Sequence, residues 1–355
     1  MSVETSDVDV LIVGSGVSGL FLSSFLSKLN VDFILIDSLK DPINRIRDTG
    51  LVSENFVNLF PKAKDFAIKS YRSANFYLGK DSFEVFARRG DYYLLDRVAL
   101  NKHLLESAEK YGEVSFGERL ERMNDCAITN YRKIRYKVIV DATGPYSYVR
   151  KLYGLESDKD FVIGIEIHTE DLLADGIHIF LDKKYSKEHF LWIVGLDGYS
   201  KVGIMDKGLN MRKFLKIIRD FGIYDYSLIY SHVIKRREEK VLAYKNFISV
   251  GESTGYLKKF SLGGILVSYI QAYFASLVIK GYLEKGIPLE RYNKIIEDYF
   301  YVRSFPDFVR KAMKKKAIFN ILKVLNANKI VSYFDLDFYI PFYRIKSIRV
   351  FESDL

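Results

Sequence analysis

The sequence predicts a mixed α/β fold, in which a Rossmann-like nucleotide-binding domain carries an inserted antiparallel-sheet domain and is followed by a helical C-terminal region. Three observations predict this fold. A strand–helix–strand pattern with glycines in its first turn occupies residues 8–38, and four short apolar strands follow one another over residues 161–206. The apolar segments at 136–141 and 246–253 are read as further strands of the nucleotide-binding domain, and no Pro- or Ser-rich linker separates the two domains. We therefore predict that the second domain is inserted into the first.

The first unit of the predicted fold is a pair of parallel strands with a helix between them. Residues 8–13 form an apolar run of strand length, residues 20–29 have the spacing of an amphipathic helix, and residues 32–37 form a second apolar run. The first strand and the helix are joined by a predicted turn over residues 14–19. A unit of this kind opens the dinucleotide-binding folds.

The glycine spacing inside this unit indicates a dinucleotide site. Gly14, Gly16 and Gly19 have the G-x-G-x-x-G spacing, which provides a tight turn, close approach of the backbone to a pyrophosphate and close helix–strand packing. The amides at the start of the helix face the phosphates, and the helix dipole favours their charge. Asp37 ends the second strand, where its carboxylate can accept hydrogen bonds from ribose hydroxyls. The predicted nucleotide site consists of Gly14, Ser15, Gly16, Ser18, Gly19 and Asp37.

The remaining elements are predicted from alternation and apolar periodicity. Strands are predicted at 74–79, 82–88, 91–95 and 136–141, and the four strands of residues 161–206 are predicted to form an antiparallel meander. Helices are predicted at 97–111, 211–221 and 263–283. The last helix is apolar enough to raise the question of a membrane span, but its Ser268, Gln271 and Lys280 favour a helix buried inside the protein.

Composition and charge limit the classes of partner. The chain has 355 residues, a net charge of +9 and one cysteine, Cys126, so it has no intramolecular disulfide framework, and we expect no metal. Residues 301–355 carry many Lys and Arg between apolar residues, which predicts either a solvated helix face or contact with an anionic membrane surface or an acidic substrate. No nucleic-acid-binding motif accompanies this charge. No signal peptide is visible, so we expect a cytoplasmic protein, with peripheral attachment to the inner face of the membrane as an option.

Four segments match the motif patterns of one flavoprotein family. The segment YKVIVDATGPYSYVRKLYG (136–154) matches D-A-[DT]-G-x-x-S-x-[VL]-R, and NFISVGESTGYLKKFSLGGILVSYIQAYFA (246–275) matches most of G-D-A-A-G-x-x-x-P-x-x-G-x-G-I. YYLLDRVALNKHL (92–104) is similar to Y-x-[VL]-x-R-x-x-[FL]-[DN]-x-x-L, and FLWIVGLDGYSKVGI (190–204) is similar to Y-x-W-x-F-P. From Val8 to about Leu283, the chain therefore resembles the geranylgeranyl reductase family of FAD-dependent oxidoreductases, within the wider group of flavin aromatic hydroxylases.

The resemblance implies a bound FAD and assigns residues to it. Glu252 would hydrogen-bond the ribityl chain, and the amides of Gly264 and Ile265 would stabilise negative charge on the reduced flavin ring. The further FAD-binding residues that the resemblance implies are Thr49, Gly50, Arg97, Asp141, Gly144, Gly251 and Gly263. Phe190 and Trp192 are candidates for binding the substrate, and no catalytic residue is assigned.

The chain departs from the family pattern at three places near the predicted flavin. Asp48 occupies the position of a cysteine that is thought to assist the reduction of prenyl double bonds, and Glu252 replaces an aspartate. Lys259 replaces a proline and follows Lys258. These two lysines are expected either to be solvent-exposed or to stabilise an anionic flavin or a phosphorylated substrate.

The preferred function is reduction of carbon–carbon double bonds in an isoprenoid chain, such as a geranylgeranyl-type lipid or a quinone tail. The alternatives are a flavin-dependent monooxygenase or hydroxylase and a non-catalytic FAD-binding protein. The chain has no second G-x-G-x-x-G, so NAD(P)H would bind transiently or a ferredoxin would supply the electrons. The predicted domains are an FAD-binding domain of residues 1–66, 96–155 and 241–300, a substrate domain of residues 67–95 and 156–240, and a basic C-terminal region of residues 301–355.

Overall fold

The structure is a computed structural model, and it describes residues 5–87, 90–155, 159–300 and 311–324. The strands are β1 (Thr5–Val13), β2 (Phe33–Asp37), β3 (Leu51–Ser53), β4 (Ala67–Tyr71), β5 (Ser73–Leu78), β6 (Asp81–Phe86), β7 (Tyr92–Leu95), β8 (Glu113–Phe116), β9 (Leu120–Met123), β10 (Ala127–Thr129), β11 (Lys133–Asp141), β12 (Phe161–Thr169), β13 (Ile177–Phe180), β14 (Leu191–Gly195), β15 (Ser200–Asp206), β16 (Leu228–Lys235), β17 (Ala243–Tyr244) and β18 (Phe247–Ser249). The α-helices are α1 (Val17–Lys28), α2 (Glu54–Leu59), α3 (Arg97–Tyr111), α4 (Tyr148–Leu152), α5 (Met211–Arg219), α6 (Ile265–Lys285), α7 (Arg291–Tyr299) and α8 (Lys316–Val324). The predicted mixed α/β class is confirmed.

The first sheet is the predicted nucleotide-binding sheet. Its strand order is β17-β18-β11-β1-β2-β8, and β9 and β10 extend it through β11. Strands β18, β11, β1, β2 and β8 are parallel to one another, so their carboxyl ends meet at one edge. Ligands of open α/β sheets bind outside this edge. The turns that follow β1, β11 and β18, together with the last residue of β2, are therefore brought into one place.

The second sheet corrects the predicted meander. Its order is β16-β12-β15-β14-β13-β5-β6, so of the four strands predicted to form the meander only β13, β14 and β15 are neighbours in chain order. Strand β12 pairs with β15 and with β16, a strand that the sequence pattern did not indicate, while β5 joins β13 in parallel. All seven residues of β15 are buried, and a fully buried strand needs a partner on each side. The strand β12 supplies the second partner that a simple meander would lack.

The strand predicted at residues 91–95 belongs to a small third sheet and not to the sheet of β5 and β6. Strand β7 pairs with β3 and β4 in the order β3-β7-β4, apart from the second sheet. The amide of Leu95 donates to the carbonyl of Gly50 at 3.0 Å, and that of Asp96 donates to the carbonyl of Phe66 at 2.7 Å. These bonds hold the start of α3 against the segment that follows residue 50.

The helix α6 passes through the interior of the protein. Among the described residues it is the helix that is long and apolar enough to cross a membrane, and 72% of its apolar window is buried inside the fold. Its Gln271 accepts a hydrogen bond from the amide of Gly251 at 2.7 Å. A helix that is apolar on all sides packs in the core of a large domain, and this one packs against α1. Most of the basic region of residues 301–355 lies outside the described residues.

A buried polar junction joins the second sheet to the first. Lys235 at the end of β16 is fully buried, and its ammonium donates to the hydroxyl of Ser147 at 2.9 Å and to the carbonyl of Ser253 at 3.2 Å. The same ammonium pairs with Glu239. Because Ser147 follows β11 and Ser253 follows β18, this lysine is bonded to both turns of the nucleotide-binding sheet.

Candidate cofactor and substrate site

A cavity of about 790 Å³ lies at the carboxyl edge of the first sheet and extends to the face of the second. Its volume is in the range of cofactor and drug-sized ligand sites. The predicted site residues that line it are Gly14, Gly16, Ser18, Asp37, Thr49, Gly50, Arg97, Gly144, Phe190, Trp192, Glu252, Gly263, Gly264 and Ile265. The predicted residues outside its lining are Ser15, Gly19, Asp141 and Gly251. These four residues lie behind the lining and position the turns that form the walls of the cavity.

The glycine turn after β1 leaves room for a diphosphate. Gly14 has a φ of +107°, and a Cβ atom there would lie 2.4 Å from the carbonyl oxygen of Ala142. The helix α1 begins at Val17, so Gly19 belongs to its first turn and not to the preceding loop, where the sequence placed it. A Cβ atom at Gly19 would lie 2.0 Å from the carbonyl oxygen of Gly14, whereas Gly16 has open space beside it. No side chain caps α1, so its first amides remain available to an anion.

Asp37 lines the nucleotide end of the cavity and also holds the glycine turn. One carboxylate oxygen, Oδ2, accepts from the amide of Ser15 at 2.8 Å and from its hydroxyl at 2.9 Å, while Oδ1 accepts from the amide of Leu39 at 2.9 Å. An ionised carboxylate has about four acceptor positions, so one remains for a ligand hydroxyl.

Asp141 has a different place from the other predicted residues. Its carboxylate is fully buried and accepts from the amide of Thr143 at 3.0 Å and from the amide of Arg150 at 2.9 Å. Burial raises the pKa of this carboxyl. Ala142, Thr143 and Gly144 line the cavity in front of it. Asp141 therefore fixes the turn that presents these residues.

A second helix begins at the same cavity. Gly251 has a φ of +70°, and a Cβ atom there would lie 2.4 Å from the Ser18 hydroxyl, which makes glycine necessary where the turn after β18 meets α1. The chain then reaches Gly263, Gly264 and Ile265, where α6 begins without a side-chain cap. The amino ends of α1 and α6 thus face one cavity, and both favour negative charge.

Arg97 and Asp48 form an ion pair in the wall of the cavity. The Nε atom of Arg97 lies 3.0 Å from Oδ1 and 3.2 Å from Oδ2 of Asp48, and its Nη1 donates to Asn101 at 3.1 Å. The arginine is 5% exposed. Gly50 packs against this arginine. The aspartate that replaces the family's cysteine is therefore the counter-ion of a buried arginine.

Glu252, which the resemblance assigns to the ribityl chain, is paired with a histidine of the cavity lining. Its Oε2 lies 2.6 Å from Nε2 of His232 on β16, which also lines the cavity. Burial alone lowers the pKa of His232, but the attraction and hydrogen bond of Glu252 outweigh it, and the pKa is raised above its usual value. Sequence reasoning missed His232 because β16 itself was not recognised.

Glu166 on β12 is a second residue that sequence reasoning missed. Its buried carboxylate accepts hydrogen bonds from the hydroxyls of Thr49 and Tyr230 and, at 2.8 Å, from the indole Nε1 of Trp192. Burial acts to raise the pKa of Glu166, but His168, Lys201 and the hydroxyls of Thr49 and Tyr230 lower it, so the side chain is ionised. Burial and Glu166 together raise the pKa of Tyr230 far above its usual value, so this phenol keeps its proton.

Beyond this polar group the cavity becomes an apolar chamber. Phe190 packs against Trp192 with ring centroids 6.1 Å apart and stacks on Phe260 at 5.6 Å. Phe76 on β5 meets Phe260 at 6.0 Å. Aliphatic side chains complete the lining: Ile177, Ile179, Val194, Met205, Ile234, Leu257 and Leu262.

The two neighbouring lysines have separate positions. Lys258 is buried and lines the cavity. Lys259 pairs with Glu238 and donates to the carbonyl of Arg236 at 3.2 Å, outside the lining. Only the first of them is placed to face a cofactor or a substrate.

These groups fit FAD better than a simple metal or phosphate site. The amino end of α1 suits the diphosphate, the amino end of α6 suits a negatively charged flavin ring, and the Asp37 carboxylate suits the ribose. The same cavity continues to Phe190 and Trp192. Among the described residues, no three His, Cys, Asp or Glu side chains lie close enough together to hold a metal ion.

Comparison with known proteins agrees with this geometry. Residues 7–60 match the family described as FAD binding domain. An uncharacterized protein of Methanocaldococcus jannaschii is 25% identical over 324 residues, which cover 83% of this chain and 81% of the relative. A solved geranylgeranyl bacteriochlorophyll reductase-like protein from Thermoplasma acidophilum has a TM-score of 0.82 at 17% identity, over 97% of this chain and 96% of that chain. A probable FAD-dependent monooxygenase from Pseudomonas aeruginosa has a TM-score of 0.70 at 15% identity, over 89% of this chain and 99% of that chain.

The resemblance read from the sequence is thus confirmed for the N-terminal domain and for the fold. The glycine turn and Asp37 lie within the matched residues 7–60, and the fold shared with the Thermoplasma acidophilum structure covers 97% of this chain. The chain carries an FAD-binding domain, has FAD as its cofactor and has the fold of the FAD-dependent oxidoreductases and monooxygenases.

Proposed function

We propose that the protein is an FAD-dependent oxidoreductase that saturates carbon–carbon double bonds of an isoprenoid substrate. The observation that carries this proposal is the continuity of the cavity: the part lined by the two helix ends opens directly into the chamber of Phe190, Trp192 and Phe260. A long apolar chain fits such a chamber by burying its surface, and the aromatic walls exclude water. The similarity to a geranylgeranyl bacteriochlorophyll reductase-like fold supports this substrate class.

Different residues of the site serve the cofactor and the substrate. FAD, when bound, supplies the hydride and accepts electrons from an external donor, either NAD(P)H or a ferredoxin. The amides at the starts of α1 and α6 hold its anionic groups, and Arg97 lines the same cavity as a buried side chain held in place by Asp48. Trp192 is held by Glu166, so the wall of the chamber presents a fixed aromatic surface to the substrate.

Lipid analysis after co-expression tests the proposal directly. The protein is produced in cells that make geranylgeranyl lipids, and the lipids are examined by mass spectrometry for gains of two mass units per double bond. The matched control is Gly14→Ala, whose added methyl group collides with the Ala142 carbonyl and removes the diphosphate turn. Saturation by the natural sequence and not by the control supports the proposal.

A flavin-dependent monooxygenase is the second candidate, because the fold is shared with a probable FAD-dependent monooxygenase. The two functions differ in their need for oxygen. Substrate-dependent oxygen consumption, with gains of sixteen mass units in the product, would replace the proposed reductase by a hydroxylase. A preparation that binds FAD but turns over neither kind of substrate would leave the non-catalytic alternative.

We also infer contact with an anionic membrane surface, from which such a substrate would be drawn. The helix α8 exposes Ile321 and Val324 beside Lys316 and Lys323. Apolar side chains flanked by lysines favour attachment at the interface of an anionic bilayer. Co-sedimentation with phosphatidylglycerol vesicles but not with phosphatidylcholine vesicles is the expected result.

A further inference from the structure

We propose that His232, held by Glu252, is the proton donor of this active site. The proposal rests on the proposed reductase function, because adding hydrogen to a carbon–carbon double bond needs a proton as well as a hydride. The π bond breaks and two C–H bonds form: one carbon takes the hydride that reduced FAD supplies, and the other takes a proton from the His232 imidazolium. The imidazole that remains is reprotonated from solvent, and the NAD(P)H or ferredoxin donor restores the reduced cofactor.

The side chain of His232 is on the correct face of its strand. Tyr230, His232 and Ile234 alternate along β16, and all three line the cavity. Successive side chains of a strand point to opposite faces, so this spacing directs the imidazole towards the ligand space. The residue paired with His232 on β12 is Gly164, which also lines the cavity and has no side chain to cover the ring.

The two ring nitrogens of His232 have different surroundings. Nε2 lies 2.6 Å from the Glu252 carboxylate. Nδ1 is buried and has no hydrogen-bond partner within the described part of the chain. Buried polar atoms in native proteins are nearly always paired, and Nδ1 has almost no accessible surface, so a small movement of the ring must open it to the cavity before a ligand can be its partner. The carboxylate orients the ring and favours its protonated form, which leaves Nδ1–H to act as the acid.

The neighbouring charges support a protonated ring. Burial is the largest single influence and lowers the pKa of His232, as Arg47 does, but the attraction and hydrogen bond of Glu252, with a weaker attraction from Asp48, outweigh them and raise it. Glu252 lies on the turn after β18, and Arg47 and Asp48 lie on the segment before Gly50. The pKa of His232 is raised by these groups together, and a general acid is most effective when its pKa lies near the working pH.

The other ionisable groups in this part of the lining are less suited to donate a proton. Asp48 is bound to Arg97, and the Glu166 carboxylate already accepts from three side chains. Tyr230 gives its hydrogen to Glu166 and has a strongly raised pKa.

The first test measures the ring itself, without turnover. The chain has five histidines, so ¹³Cε1-histidine labelling gives five resonances, and His232→Gln identifies the one of interest. We expect His232 to titrate above the usual histidine pKa of about 6.5 in the FAD-loaded protein, and to titrate at lower pH in Glu252→Gln. A ring that is neutral at pH 7, or that titrates identically in the two proteins, would overturn the proposal.

The second test follows single-turnover oxidation of the dithionite-reduced, FAD-loaded enzyme by a polyprenyl substrate across pH. His232→Gln should slow the step about 100-fold or more and abolish the decline at high pH. Glu252→Asp, which keeps the charge but shortens the reach, should shift the profile to lower pH. The matched control is His178→Gln on the same sheet, outside the cavity lining, which should behave as the natural sequence does.

The outcomes separate this proposal from the proposed function. FAD absorbance and unfolding midpoint establish that each variant is folded and loaded before its rate is compared. Rapid turnover by His232→Gln with an unchanged pH profile would remove His232 as proton donor while the reductase function stands. No turnover of any polyprenyl substrate by the natural sequence would overturn both.

Discussion

Replacing Glu166 by glutamine tests whether the buried carboxylate holds the two sides of the site together. The substitution preserves the shape of the side chain, but an amide nitrogen cannot accept hydrogen bonds, and the donors here are Thr49, Trp192 and Tyr230. A buried donor left without an acceptor costs about 1–3 kcal/mol. One lost acceptor oxygen therefore leaves at least one unpaired donor, and loss of the charge adds to this cost. We expect the free energy of unfolding to fall by about 2–4 kcal/mol.

The assay for this prediction uses a feature of the sequence. Trp192 is the chain's one tryptophan, so its fluorescence reports on the site directly. Guanidinium unfolding of FAD-free protein, extrapolated linearly to zero denaturant, gives the difference in free energy. The emission of the folded variant should also shift, because the indole N–H loses an ionised acceptor. The control is Glu170→Gln, an exposed residue just after β12, which should change stability by less than about 0.5 kcal/mol.

A particular result would refute this reasoning. If Glu166→Gln and Glu170→Gln unfold with equal free energies and the Trp192 emission is unchanged, the carboxylate does not hold the donors as described. A loss of stability with unchanged emission would place the effect on Thr49 or Tyr230 instead.

Three further predictions concern the cofactor turn, the buried arginine and pH. Gly14→Ala should purify without FAD absorbance, because its Cβ atom would lie 2.4 Å from a carbonyl oxygen, while Gly79→Ala, also at positive φ but with open space, should keep FAD. Asp48→Asn should lower the unfolding free energy by about 1.5 kcal/mol in denaturant titration, because Arg97 loses a charged partner. The His232 pKa is raised on folding, so its stabilisation is complete below its unfolded pKa of about 6.5 and is lost as pH rises through the folded value. The stability difference between the natural sequence and His232→Gln should therefore shrink from pH 6 to pH 9, and a constant difference would contradict it.

The cofactor end of the site could be predicted from the sequence because its signals are local. The collisions that exclude side chains at Gly14 and Gly19 arise within one strand–turn–helix unit and beside the turn after β11. The spacing of three glycines therefore contains most of the information. The same is true of Asp37, whose carboxylate accepts from Ser15 in the glycine turn of the same unit and from Leu39 two residues further on.

The polar part of the chamber could not be predicted in this way. Glu166 meets Thr49 and Trp192 across separations of 117 and 26 residues, and His232 meets Glu252 across a separation of 20 residues. These pairs depend on the order of strands in the second sheet, and the predicted meander placed β12 beside the wrong neighbour. Because β16 was not predicted from the sequence, the side chains of Tyr230 and His232 could not be assigned to a face of the second sheet.

The junction at Lys235 has a mechanical consequence. Swinging the second sheet as a rigid body away from the first would separate the buried ammonium of Lys235 from both Ser147 and Ser253, so two buried hydrogen bonds would have to break together. Wide opening of the two sheets at this end is therefore a rare event. Under the proposed function, an apolar substrate would therefore have to enter the chamber while the two sheets remain joined at this end.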